Sequence, residues 1–103
     1  MDTINVKINE AKNDSVKINL YYKTSFSEKI NQQQKDSLIV IMIELGKSSK
    51  IKRLYSYALF KQGYYYDNLK KYDKALENYI LAIKEAEKVQ NLYVQVICHN
   101  RMG

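Results

Sequence analysis

The chain has 103 residues and a formal net charge of +6 at pH 7, with 46% apolar and 27% charged residues. This composition is ordinary for a globular protein, and it excludes both an intrinsically disordered chain and, at this length, more than one domain. The chain contains no proline and only three glycines, so few residues interrupt helices. We therefore expect one all-α domain over residues 1–103.

Targeting signals and cysteine content indicate the cellular compartment in which the protein is expected. No run of about 20 apolar residues could span a bilayer, and residues 1–10 lack the apolar centre of a signal peptide. Cys98 is the single cysteine, which fits a reducing compartment. A cytoplasmic protein without membrane association is expected. The neighbouring His99 adds only one further metal ligand, so no metal site is expected.

The first third of the chain shows two stretches with helical spacing of apolar residues. Residues 2–12 predict a short helix. Asp14 is a suitable N-cap for a second helix, which we expect to end near Asn31. The polar residues 32–35 are interpreted as a connection before the next element.

Residues 38–43, LIVIMI, could form either a buried strand or a buried helix. The sequence offers no second strand to pair with them, and a lone strand leaves its backbone groups unsatisfied. A helix capped at Asp36 and buried on most sides is therefore favoured. Gly46, together with Lys47, Ser48 and Ser49, is expected to loosen or end this helix before the next one begins near Lys52.

The clearest pattern lies in residues 57–86, where two apolar stripes share the spacing i, i+4, i+7 on either side of a polar connection at residues 68–72. The stripes consist of Leu59, Gly63 and Tyr66 in the first segment and Ala75, Tyr79 and Ala82 in the second. Two amphipathic helices with matching stripes predict a helical hairpin. Small residues in both stripes allow the helices to approach closely.

This spacing resembles the tetratricopeptide repeat, a helix–turn–helix unit of 34 residues. The best repeat covers residues 56–89, with Gln62 at a position where leucine is usual. The resemblance implies that the following residues pack between the two helices: Leu59, Gly63, Tyr66, Tyr72, Ala75, Tyr79 and Ala82.

Flanking segments resemble the same unit less closely. A shift of 37 residues sets Asp36 against Asp73 and makes residues 16–50 a degenerate repeat. Residues 91–103 resemble the start of a third repeat, which would be partial. The resemblance implies antiparallel helical hairpins stacked as a short right-handed solenoid. It also implies that the chain is part of a larger bacterial regulatory protein, with a sensory or oligomerisation role.

One stripe of the central repeat corresponds to the concave groove of this family. The candidate peptide-binding residues are Tyr57, Phe60, Lys61, Tyr64 and Asn68. Aromatic anchors on a rigid concave face are typical of peptide recognition. The resemblance thus implies a non-catalytic scaffold that binds a protein or peptide, while packing of these aromatics against a neighbouring helix is the structural alternative.

Charge is concentrated in residues 47–74, which hold eight Lys or Arg against two Asp. Such a segment could attract an acidic peptide, a membrane head group or a nucleic acid, or it could be a solvated face. A nucleic-acid-binding helical domain is the alternative function. We consider it less favourable, because recognition helices cross their partner steeply and project from the fold, unlike antiparallel hairpin helices.

Catalysis finds no support in the sequence. There is one histidine, no phosphate-cradling glycine loop and no metal-ligand spacing. We expect neither enzymatic activity nor a cofactor.

The C-terminal segment predicts self-association, because its apolar residues would lack a second helix to cover them. The candidate residues are Tyr93, Val96, Ile97 and Met102. Exposed apolar patches tend to find a partner, so a homodimer through this helix is expected.

Overall fold

The computed structural model describes residues 13–102, and the short helix predicted for residues 2–12 lies outside this range. All regular structure within the range is α-helical, which confirms the all-α prediction. The helices are α1 (Asp14–Thr24), α2 (Gln32–Ser48), α3 (Arg53–Asn68), α4 (Tyr72–Lys88) and α5 (Leu92–Met102). None of these five is long and apolar enough to cross a membrane.

Consecutive helices pack as antiparallel neighbours. Gly63, in the second half of α3, faces the ring of Tyr79 in α4. Ser56, near the start of α3, accepts a hydrogen bond from Asn91, which lies just after the end of α4. The start of α3 therefore lies beside the end of α4, and the two helices run in opposite directions. Helices α2 and α3 are also antiparallel, since Gly46 near the end of α2 contacts Leu54 and Ala58 near the start of α3. The hydroxyl of Tyr65, near the end of α3, donates to Asp36 near the start of α2.

Alternate helices run parallel and form a row in the order α1, α3, α5, with α2 and α4 packed behind them. The first, third and fifth helices begin at residues 14, 53 and 92, a recurrence of 39 residues. This interval exceeds the 34 residues of the tetratricopeptide unit. A right-handed solenoid stays a prediction.

The connections after α3 and α4 have the same design. Each contains a non-glycine residue in the left-handed region, Lys70 with φ 61° and Gln90 with φ 57°. In each, the next backbone N–H bonds back to a carbonyl of the last helical turn, Lys71 to Tyr66 at 2.9 Å and Asn91 to Ala86 at 2.8 Å. This pairing satisfies helix C-terminal carbonyls and reverses the chain within a few residues.

The core lies on both sides of α3. One cluster joins α3 to α1 and α2 and consists of Ile18, Ile39, Met42, Leu54, Ala58 and Tyr65. The other joins α3 to α4 and α5 and consists of Leu59, Phe60, Ala75, Tyr79, Ala82, Ile83, Ala86, Val94 and Cys98. Because α3 contributes to both, it is the central helix of the molecule.

Most residues assigned to packing in the central hairpin are buried, but Tyr72 and Tyr66 differ. Tyr72 is 62% exposed at the start of α4, which corrects its predicted packing role. Tyr66 is half-buried, and its neighbour Tyr65 is the buried tyrosine. Gln62, where the repeat usually has leucine, accepts a hydrogen bond from Asn78 of α4. A polar pair therefore replaces an apolar contact at that point.

The ends of α1 and α2 correct the sequence-based boundaries. Asn13, not Asp14, caps α1 by accepting from the Val16 N–H at 2.9 Å, and α1 ends at Thr24 instead of near Asn31. Residues 32–35 are the first turn of α2, not a connection. Asn31 and Gln34 form a reciprocal capping box there, which satisfies N-terminal backbone donors and starts the helix early.

The LIVIMI segment is helical, as predicted, although only one side of it is buried. Leu38, Ile39 and Met42 are buried, whereas Val40 is 58% exposed, because among the helices of residues 13–102 only α1 and α3 contact α2. The helix ends at Ser48, within the predicted segment 46–49, and α3 begins at Arg53, next to the predicted Lys52. An added Cβ at Gly46 would lie 2.9 Å from the Cβ of Ala58, so glycine permits a close helix contact here.

Replacing Gly63 tests the contact between α3 and α4. A Cβ at this position would lie 2.5 Å from Cε1 of Tyr79, so Gly63→Leu should lower the free energy of unfolding by about 1–3 kcal/mol through overpacking. Thermal and urea unfolding measure the change. Lys84→Leu, at an exposed position of α4, is the control and should stay within about 0.5 kcal/mol of wild type. A Gly63→Leu protein as stable as wild type would contradict the packing described.

Candidate functional site

The row of α1, α3 and α5 presents a surface that includes four of the five predicted groove residues. Tyr57, Lys61 and Tyr64 are half-buried along α3, and Asn68 is exposed at its end. Phe60 is only 1% exposed and belongs to the core, which corrects its assignment as a binding residue. We call the surface lined by Tyr57, Lys61 and Tyr64 the aromatic groove.

The Lys61 ammonium lies among aromatic rings in the middle of this groove. Its Nζ is 4.7 Å from the ring centre of Tyr22, 5.3 Å from Tyr57, 5.6 Å from Phe60 and 5.9 Å from Tyr64. These distances fall within the range of cation–π attraction. Tyr22 belongs to α1 and is absent from the predicted set, because helical spacing within α3 carries no information about which α1 side chain reaches it.

The charge of Lys61 is weakly compensated by its surroundings. Burial among the rings lowers the pKa of Lys61 below its ordinary value, and the nearby positive charge of Lys23 lowers it further. The ion pairs found within residues 13–102 join Lys88 to Glu85 and Arg101 to Asp67. No carboxylate of this range therefore lies at ion-pair distance from Lys61.

Arg101 of α5 is a second cation at the groove, and it has a carboxylate partner. Its Cζ lies 4.7 Å from the ring centre of Tyr64, and its Nη2 donates to Oδ2 of Asp67 at 3.2 Å. Asp67 also accepts from the hydroxyl of Tyr79 at 2.5 Å. Helices α3, α4 and α5 are joined through this carboxylate, which fixes the guanidinium beside Tyr64.

The other end of the groove is shaped by Tyr57. Its hydroxyl donates to Oδ1 of Asn19 at 2.7 Å, which ties α3 to α1, and burial raises the pKa of Tyr57 so that the phenol stays neutral. A cavity of about 360 Å³ opens beside it between the first turns of the three helices. Its lining consists of Ser15, Arg53, Leu54, Tyr57, Asn91 and Tyr93.

The basic segment, residues 47–74, does not form one continuous face. Lys70, Lys71 and Lys74 surround the turn between α3 and α4, whereas the other cluster, Lys47, Lys50, Lys52 and Arg53, precedes or begins α3. With 16 residues, α3 separates these clusters by roughly 24 Å at 1.5 Å per residue. Lys61 is the only cation along α3 between them.

The residues predicted for self-association separate into two groups. Tyr93 and Val96 are 60% and 56% exposed, whereas Ile97 and Met102 pack against the core between α3, α4 and α5. This corrects the assignment of the latter two to a free surface, because α5 contacts both α3 and α4. Cys98 is also buried, and burial raises the pKa of its thiol to about 11.

Comparison with known proteins adds no identification. No protein-family model matches the chain, and neither a curated protein nor a solved structure matches it. The tetratricopeptide resemblance stays a prediction from residue spacing. Function is therefore inferred from the chemistry of the aromatic groove.

Proposed function

We propose that this chain is a non-catalytic scaffold that binds a segment of another protein, or a peptide, in the aromatic groove. The observation that carries the proposal is the half-buried Lys61 ammonium among aromatic rings of two parallel helices, α1 and α3. Tyrosine and arginine side chains dominate the binding energy of many protein interfaces. Tyrosines bury a large area and lose little side-chain entropy on binding.

Hydrogen bonds hold the groove in place before any partner arrives. Tyr57 is bonded to Asn19 of α1, and Arg101 is bonded to Asp67 of α3. Side chains fixed in this way lose less freedom when a ligand binds, so more of the contact energy remains as affinity. Preorganisation thus favours a binding role for this surface.

The charge of the groove favours an acidic partner. Lys61, Arg101 and Arg53 lie along it. Asp67 compensates the positive charge of Arg101 alone. The nucleic-acid alternative is less favourable, because the other basic residues of the segment 47–74 are divided between opposite ends of α3 and do not form one track for a phosphate backbone. Within a larger bacterial regulator, such a groove would serve as the sensory or oligomerisation part.

Selection of peptides from a random phage library against the wild-type protein tests the proposal. We expect enrichment of a peptide family whose affinity falls about tenfold in Tyr93→Ala, since truncating an interface tyrosine typically costs more than 1 kcal/mol. Tyr93 lies at the groove, with its ring 6.5 Å from that of Phe60.

Tyr72→Ala is the matched control for this experiment. The two tyrosines are similarly exposed, at 62% for Tyr72 and 60% for Tyr93, but Tyr72 lies on α4, outside the groove. The control should bind the selected peptides like wild type. Failure to enrich any peptide, or equal losses in both variants, would overturn the proposed function.

We also propose that α5 mediates self-association. Leu92, Tyr93 and Val96 are 70%, 60% and 56% exposed within five consecutive residues. Contiguous exposed apolar side chains on one helix are typical of an interaction surface. A second copy is the simplest partner, because a twofold axis lets the same patch contact itself.

Sedimentation equilibrium over a wide concentration range tests this association. The wild-type mass should rise from monomer towards dimer, and Val96→Glu should remain monomeric because a charge would be buried in the interface. Val40→Glu on α2 is the matched control, since Val40 is 58% exposed, and it should associate like wild type. A wild-type protein that stays monomeric throughout would show that α5 is not a dimer interface.

A further inference from the structure

Two cations flank the ring of Tyr64, and they differ in what compensates their charge. Arg101 has its Cζ 4.7 Å from the ring centre and donates to Asp67. Lys61 has its Nζ 5.9 Å from the same ring centre, and no carboxylate of residues 13–102 pairs with it. Of the two, only Lys61 is available to a ligand carboxylate without breaking an existing ion pair.

Aromatic rings compensate the Lys61 ammonium only in part. The ammonium carries three N–H donors and no acceptor, and ring faces attract its charge without supplying the lone pairs of a carboxylate. The same rings exclude water from its flanks, which strengthens any charge interaction formed there. A carboxylate that enters from the open side of the groove would therefore form a charge-assisted hydrogen bond to a partly desolvated ammonium.

We propose that Lys61 is the specificity-determining residue of the groove and that it binds a side-chain carboxylate, Asp or Glu, of the bound segment. This inference rests on the proposed function and adds the chemical group that the groove recognises. Charge complementarity supports an acidic peptide as the occupant, since Arg53 at one end of the groove and Lys23 beside Lys61 add to the positive potential.

Fluorescence anisotropy with two labelled probes tests the inference. The acidic probe is fluorescein-labelled hexaglutamate and the uncharged probe is hexaglutamine, both at about 0.15 M salt, where long-range attraction is screened. Wild type should bind hexaglutamate about tenfold more tightly or better, because a hydrogen bond to a charged group is lost with the amide. Hexathymidylate serves as a phosphate-bearing probe and should bind more weakly than hexaglutamate.

Variants of two lysines separate recognition from general attraction. Lys61→Met keeps the aliphatic length of the side chain and should abolish the preference for hexaglutamate, whereas Lys61→Arg should retain it because the positive charge remains. Lys84→Met removes the same charge from an exposed position of α4 and should leave the preference unchanged. Thermal melting of each variant establishes that it is folded, so that a change in affinity is not caused by unfolding.

Several results would overturn the inference. Equal affinity of wild type for hexaglutamate and hexaglutamine, equal losses in Lys61→Met and Lys84→Met, or tighter binding of hexathymidylate would each exclude carboxylate recognition by Lys61. If library-selected peptides still depend on Tyr93 in those cases, peptide binding stands and only the role of Lys61 fails. If the library yields no peptide, the proposed function fails as well.

Discussion

The close contact between α3 and α4 at Gly63 is the constraint on which the rest of the structure depends. The ring of Tyr79 occupies the space that a side chain at Gly63 would fill, and its hydroxyl reaches Asp67 one turn further along α3. Asp67 in turn holds Arg101 of α5. One tyrosine therefore sets the distance between two helices and, through a shared carboxylate, the position of a third.

The same arrangement explains how a small helical chain presents a groove. Since α3 contributes to both core clusters, its two flanks are buried, and the strip between α1 and α5 remains open to solvent. Tyr57, Lys61 and Tyr64 occupy that strip. Burying a lysine among aromatic rings opposes its charged form, and such unfavourable arrangements are typical of surfaces retained for binding.

The central hairpin could be predicted from the sequence because its two stripes have the same spacing and the connection between them is polar. Local spacing does not identify the neighbours of a helix, however. Phe60 lies in the core because Tyr93 and the buried face of α5 cover it, and Tyr22 reaches Lys61 only because α1 runs parallel to α3. The start of α2 does have a signal in the sequence, since Asn31 and Gln34 have the spacing of a capping box before an apolar run.

We propose that the aromatic groove is the binding surface of this protein. Nuclear magnetic resonance of the isotope-labelled protein, titrated with a library-selected peptide, tests it most directly. The account predicts that the largest shift changes occur at Tyr22, Tyr57, Lys61 and Tyr64, the groove side chains around the ammonium. Changes concentrated instead at the lysines of the turn between α3 and α4, or on the outer face of α2, would contradict it.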